Sequence, residues 1–203
     1  MAEKNDYVNR ELSWIEFNYR VLSEARDKST PLFDRLKFLS ITASNLDEFY
    51  MVRVASLKDM VHAKYAKKDI AGLTAKEQLD KISEKTHQLV DLQYSTYNRS
   101  LVPALKQNGL RIVMEHEDLT EDEAAFADEY FHKNVYPVLT PMAFDSSRPF
   151  PLIRNKTLNI AALLKKKNEK EAELEFAMVQ VPSVIPRIVE LPEEKDENGE
   201  IQR

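Results

Sequence analysis

The residues best placed to do chemistry lie between Ser44 and Val54. The run Ser44-Asn45-Leu46-Asp47-Glu48-Phe49-Tyr50-Met51-Val52-Arg53-Val54 holds an amide, two carboxylates and a guanidinium. Ser44 stands three residues before Asp47, and Asn45 three before Glu48. That is the spacing of a short acceptor side chain and a carboxylate at a helix start, so a helix is expected to begin here. Leu46, Phe49, Tyr50, Val54, Leu57, Met60 and Val61 then keep the 3.6-residue period of a buried face. Arg53 falls within that stripe, where a charge is costly unless paired. It is expected first as a buried partner of a carboxylate, and second as a group facing another part of the protein. Asn45 is expected as a cap at a helix start, where free backbone N–H groups are also on offer.

Other reactive groups are sparse. The 4 histidines, His62, His87, His116 and His132, stand at no metal-ligand spacing and are expected at the surface. No nucleophile motif has a base beside it. Asp47 and Glu48 are adjacent, so on a helix they point in different directions, which suits capping better than acid–base work. The 3 glycines, Gly72, Gly109 and Gly199, stand alone, which excludes a glycine-rich phosphate loop. Taken residue by residue, the chain holds no complete active site.

The elements that would position these groups are helical up to Gly109. Ser13 with Glu16 forms a capping pattern that starts a helix running to about Asp27, with Trp14, Phe17, Val21, Leu22 and Ala25 inward. Asn18 lies in that stripe and is expected as a core amide bonded to backbone, a ligand contact being the second reading. Pro31 opens a second helix with Leu32, Phe33, Leu36 and Leu39 buried, ending near Ala43. The helix carrying Asn45 then runs to about Lys68. Thr74 with Glu77 caps a long helix over 75–107, which Pro103 should kink and Gly109 should stop. Beyond Gly109, Leu110–Met114 reads as a short strand, and Thr120 with Glu123 caps a helix to about Val135. Residues Pro137–Pro151 read as irregular loop. Thr157–Lys165 and Leu174–Val181 read as hairpin strands around a charged turn at Lys166–Ala172. Arg187–Leu191 is a candidate further strand. Glu193–Glu200 reads as a charged loop with a turn at Asn198-Gly199, and Ile201 as the start of a strand. The expected architecture is multi-domain α and α+β: a helical bundle over 1–108, then an α+β domain with antiparallel strands over 109–203 that is cut short.

Composition narrows the class. With 43% hydrophobic and 31% charged residues in 203, the chain has the make-up of a globular protein able to bury a core. A net charge of −5 argues against a general nucleic-acid binder. The absence of cysteine leaves no thiolate metal site or disulfide and fits a reducing compartment. No apolar run approaches the ~20 residues of a membrane span, and the polar start does not read as a signal peptide.

The run Ser44–Val54 closely resembles a signature of the bacterial polyphosphate kinases that work through a phosphohistidine. So do Glu11-Leu12-Ser13-Trp14-Ile15-Glu16-Phe17-Asn18-Tyr19-Arg20-Val21-Leu22 and Pro31–Ser40. Tyr136-Pro137-Val138-Leu139-Thr140-Pro141 and Pro149-Phe150-Pro151-Leu152 do so more loosely. The resemblance covers nearly the whole chain from about Tyr7. It implies the amino-terminal portion of a cytoplasmic enzyme that moves the terminal phosphate of ATP onto polyphosphate and back. The phosphorylated histidine and phosphate-binding arginines would lie in carboxyl-terminal catalytic domains beyond Arg203, so this portion alone is expected to be inactive. In the family the helical domain contributes to the ATP pocket and the head-like second domain to a homodimer. Asn45 matches the family's nucleotide-binding Asn, and an amide suits an adenine edge. The resemblance therefore favours ATP contact at Asn45, together with capping, and makes Arg53, which matches the motif too, a further cofactor-binding candidate or a group facing the catalytic domains. Mg²⁺ would bind with the phosphates of ATP or ADP rather than in a cage here. Which basic residues would meet polyphosphate is not selected by the sequence. The alternative is a non-enzymatic module that binds an adenine nucleotide or serves as a scaffold.

Overall fold

The computed structural model describes residues 7–144, 152–165 and 175–192. The chain divides into two compact units, Met1–Ile112 and Val113–Arg203. The first is helical, and the described part of the second contains a small antiparallel sheet.

The described part of the first unit contains three helical rods. The first is α1 (Arg10–Arg26). The second joins α2 (Leu32–Phe49), a wide turn at Tyr50–Val54 and α3 (Ala55–His62) without a break. The third joins α4 (Ala75–Thr96), a second wide turn at Tyr97–Leu101 and α5 (Val102–Gln107). Local signals set several ends. Thr74 and Glu77 form a reciprocal capping box at the start of α4. Gly109, at φ +84°, closes α5. There the N–H of Gly109 bonds to Lys106 O and that of Leu110 to Leu105 O, a pairing that needs a left-handed residue and so favours glycine. Pro103 would clash with the carbonyl four residues back. The chain accommodates it by widening just upstream, where the Val102 N–H reaches back to Tyr97 O.

Other expected ends are corrected. The first helix begins at Arg10, not Ser13, because Asn9 caps it by accepting from the Leu12 N–H at 2.8 Å. The buried Asn9 amide also donates to Asp69 Oδ2 and Gln78 Oε1, tying the start of α1 to the third rod and the loop before it. No helix starts at Ser44 or Asn45. Both lie inside α2, which neither ends near Ala43 nor restarts after it. The reason is the stripe Arg35, Leu39, Thr42 and Phe49, whose burial runs straight across the expected break. Cap preferences near 1 kcal/mol yield to burial of several side chains at about 1.5–3 kcal/mol each. The rod ends at His62 rather than Lys68, and Lys64 adopts φ +55° just beyond.

Two aromatic residues expected inside are outside. Phe33 is 65% exposed and Phe17 46%, while Ile15 and Arg35 occupy the interior. Arg35 is tolerated there because its Nε donates to Ala25 O at 2.9 Å and its Nη2 to Ser100 Oγ at 2.8 Å. It thereby pins the end of α1 to the second wide turn. The apolar core falls into two clusters: Ile15, Phe49, Val54, Leu57, Ala75 and Ile82 in one, Leu22, Ala25, Leu39, Leu89 and Leu101 in the other.

In the second unit, Thr120 and Glu123 form the expected capping box of α6 (Glu121–Tyr130), which continues as a third wide turn at Phe131–Val135. The strands β1 (Thr140–Phe144), β2 (Leu158–Leu164) and β3 (Glu175–Val181) pair antiparallel in the order β1-β3-β2. Leu158 faces Val181 and Thr140 faces Gln180 across the central strand. The expected β2–β3 pairing is present. The expected strand at Leu110–Met114 is not, since that segment pairs with no strand among the described residues. Residues Thr140–Phe144, expected as loop, form β1 instead. Pro141 is tolerated because β1 is an edge. Arg187–Leu191 is not a strand. The turn at Lys166–Ala172, the segment Glu193–Glu200, Ile201 and the motif residues Pro149–Pro151 lie outside the described residues.

Two substitutions separate a real cap from an apparent one. Thr74→Ala is expected to lower stability by about 1 kcal/mol, and Ser44→Ala to be neutral within about 0.5 kcal/mol, both read from urea midpoints. The Glu77 carboxyl is held below its ordinary range, chiefly by the Thr74 N–H and then by its hydroxyl. Its stabilising contribution is therefore present above the ordinary glutamate pKa and lost as pH falls through the lowered value. Glu77→Gln should make acid unfolding less steep in that window.

Candidate functional site

The wide turn at Tyr50–Val54 builds the candidate site. The Ala55 N–H reaches five residues back to Tyr50 O instead of four, so one extra residue occupies the turn. Phe49 and Val54 both stay in the core, and the residues between them are pushed outward. The expected stripe assumes a uniform 3.6-residue period, and this shift corrects it. Tyr50, Met60 and Val61 are exposed. Arg53 is exposed as well, and no ion pair or side-chain hydrogen bond holds it among the described residues. The buried carboxylate partner expected for it is absent, because the turn carries it off the buried face.

Arg53 lies instead in a cleft of about 220 Å³ lined by Trp14, Asn45, Glu48, Phe49, Val52 and Arg53. Here α1 supplies Trp14, α2 supplies Asn45, Glu48 and Phe49, and the wide turn supplies Val52 and Arg53. The Trp14 and Phe49 rings are stacked, centroids 4.4 Å apart and planes 5° from parallel, with Phe49 buried and Trp14 partly exposed, so the indole supplies the accessible aromatic surface of the lining. Glu48 and Arg53 add one charge of each sign.

Asn45 is oriented from below. Asn18, 0% exposed, donates from Nδ2 to Thr42 O at 3.1 Å. A carbonyl accepts only, so this bond fixes which end of the Asn18 amide is which. Asn18 Oδ1 then accepts from Asn45 Nδ2 at 3.1 Å. The relay leaves the second N–H and the carbonyl of Asn45 for whatever enters the cleft. The expectation for Asn18, a core amide bonded to backbone, is met. The expectation that Asn45 also caps a helix is not, because a residue inside α2 faces no free helix end. The stretch thus brings Asn45 and Arg53 to one cleft, while Trp14 and Glu48 were not singled out as site residues. Trp14 was legible only in its i, i+4 spacing to Asn18.

The remaining reactive groups do not assemble. Asp47 lines another cavity, of about 300 Å³, with Tyr50 and His87, on a different side of α2 from Glu48. His87 Nδ1 lies 2.7 Å from Ser83 O in its own helix. His116 Nε2 lies 3.5 Å from Asp128 Oδ1 at the surface. The exposed His132 packs its ring edge against Phe131 and Tyr136. Among the described residues no group of three or more His, Asp or Glu side chains could hold a metal ion, and no helix is long and apolar enough to cross a membrane. The cleft can bind and orient, through a planar wall, an amide and two charges.

Comparison with known proteins points one way. The family model described as the polyphosphate kinase N-terminal domain matches residues 7–113, and the polyphosphate kinase middle domain matches 122–202. The polyphosphate kinase of Lactiplantibacillus plantarum is 55% identical over 186 residues, covering 92% of this chain and 26% of that protein. That of Bacillus anthracis is 50% identical over 191 residues, covering 93% and 27%. The crystal structure of polyphosphate kinase from Porphyromonas gingivalis superposes with a TM-score of 0.78 at 35% identity, over 92% of this chain and 27% of that one. The chain spans about a quarter of the length of the relatives it matches.

The amide relay is open to a direct check. Asn18→Ala should cost about 1–3 kcal/mol in urea unfolding, since Thr42 O and Asn45 Nδ2 both lose a partner in or beside the core. An unchanged midpoint would mean that the relay does not hold Asn45.

Proposed function

The chain belongs to the polyphosphate kinase family, and from that premise we propose that its cleft receives the nucleoside end of ATP for transfer to and from polyphosphate in the whole enzyme. The supporting observation is Asn45, clamped by the buried Asn18 so that an amide N–H and carbonyl remain free beside the Trp14–Phe49 stack. A flat apolar face with a fixed donor and acceptor at its rim suits adenine, whose ring packs flat and whose edge offers both roles. Arg53, exposed in the same lining, is suited to the phosphates. Val52 supplies an apolar side.

The chain's own residues bind and orient, and phosphoryl transfer itself falls to groups outside it, through a phosphohistidine as the family resemblance implies. Mg²⁺ would accompany the ATP phosphates, as the family resemblance implies. The helical unit serves as the amino-terminal nucleotide-side domain of a cytoplasmic enzyme. The second unit serves as a head-like domain through which two copies assemble.

The test is Asn45→Ala in the intact kinase, with steady-state kinetics in both directions. Loss of one or two hydrogen bonds to the base should raise the KM for ATP and ADP about 10–100-fold, with a smaller effect on kcat. Thermal unfolding recorded alongside separates this from damage to the Asn18 relay. A KM equal to wild type in a folded variant would remove this cleft from the nucleotide site.

A further inference from the structure

A second cleft, of about 360 Å³, lies at one end of the β2–β3 pair in the second unit. Two turns enclose it. One, at residues 154–157, leads into β2. Its Thr157 hydroxyl donates to Arg154 O at 2.7 Å, and Lys156 adopts φ +59°. The other follows β3, where the Ile185 N–H bonds to Pro182 O at 3.2 Å. Because Leu158 pairs with Val181, both turns sit at the same end of the hairpin. Pro182 and Pro186 restrict the second turn, and the left-handed Lys156 fixes the first in a conformation that a non-glycine side chain adopts at a cost.

The lining is chemically one-sided. Arg154, Lys156 and Arg187 contribute three cations, and no carboxylate stands among the described residues of the lining. Arg154 and Arg187 have no ion pair among the described residues. Gln180 and Ser183 add polar groups that bond to no other described side chain or backbone group. In a chain of net charge −5, such a concentration of positive charge in a concave surface is not what composition provides by chance.

We infer that this cleft at the end of the β2–β3 hairpin is a docking site for a linear phosphate polyanion, a bare oligophosphate chain rather than a nucleotide. Two guanidiniums and an ammonium placed around a groove match successive phosphates of a chain, each guanidinium being able to fork onto two oxygens. The described lining offers no aromatic ring on which a base could stack. Naming the phosphate chain rests on the proposed polyphosphate reaction, and the preference for a polyanion rests on the cleft alone. The site would hold the phosphate chain on the second unit, so that successive transfers act on a tethered substrate.

The experiment is a calorimetric titration of the 203-residue chain with medium-length inorganic polyphosphate, with tripolyphosphate and with ATP, at low and at moderate salt. Polyphosphate should bind, more weakly at higher salt, and Arg154→Ala/Arg187→Ala should weaken it about 10–100-fold. Lys67→Ala/Lys68→Ala, at a basic segment of the first unit, should bind as wild type. Equal loss in both double variants would reduce the effect to diffuse attraction and overturn the site. So would wild-type binding by Arg154→Ala/Arg187→Ala, or ATP binding here more tightly than tripolyphosphate. Circular dichroism of each variant confirms the fold, and Ser183→Ala gives a mild change to the same lining, expected to weaken binding severalfold. Asn45→Ala should leave polyphosphate binding untouched, so failure of the nucleotide cleft and failure of this site give different results.

Discussion

A single wide turn governs the helical unit. Were Tyr50–Val54 an ordinary α-helical turn, Phe49 and Val54 could not both face the core, because five positions at 100° each overshoot one face. With the Ala55 N–H drawn back to Tyr50 O, both are buried. Phe49 then stacks on Trp14, Leu57 reaches the same cluster, and Arg53 is carried to the cleft rim. The Ser56 hydroxyl donates to Val52 O at 2.8 Å, satisfying a carbonyl within the distorted turn. Core and cleft are thus two outcomes of one change in helical phase. Wide turns of this kind cluster at functional positions because an α-helix, left regular, exposes and buries with a fixed period.

Much of this was legible from local chemistry, and what was not has a common cause. Thr74 with Glu77, Thr120 with Glu123, and Gly109 act within a few residues, so their sequence patterns carry nearly all the information. Ser44 with Asp47 and Asn45 with Glu48 show the same spacing yet cap nothing. There the decision belongs to Leu39, Thr42 and Phe49, whose burial against other rods no local pattern reports. Nothing local marks Arg35 as buried, because its two acceptors, Ala25 O and Ser100 Oγ, come from other elements. The strand at Thr140–Phe144 was hidden by Pro141, which weighs against a central strand but not against an edge.

The candidate site divides in the same way. Asn45 and Arg53 stood out as a polar residue at an apparent cap and a charge in an apolar stripe. Each of those reasons fails in structure, Asn45 not being a cap and Arg53 not being buried. Both nonetheless line one cleft. A residue that fits its local pattern poorly can do so because another demand acts on it, and here that demand is a shared concave surface. Trp14 and Glu48 fit their local patterns, a core stripe and an apparent cap, and so were not marked for the cleft.

The wide turn also sets how the chain tolerates changes of length. A helix that loses one residue normally rotates everything beyond it by about 100° and mismatches both sides of its core. Tyr50–Val54 already carries a surplus residue, so removing one there would let the turn relax to regular helix while Phe49 and Leu57 kept their faces. The rods would still pack, and the rim that presents Arg53 would be gone. In this rod the cleft rim and the scaffold are encoded separately, and the difference between them is one residue of helical length.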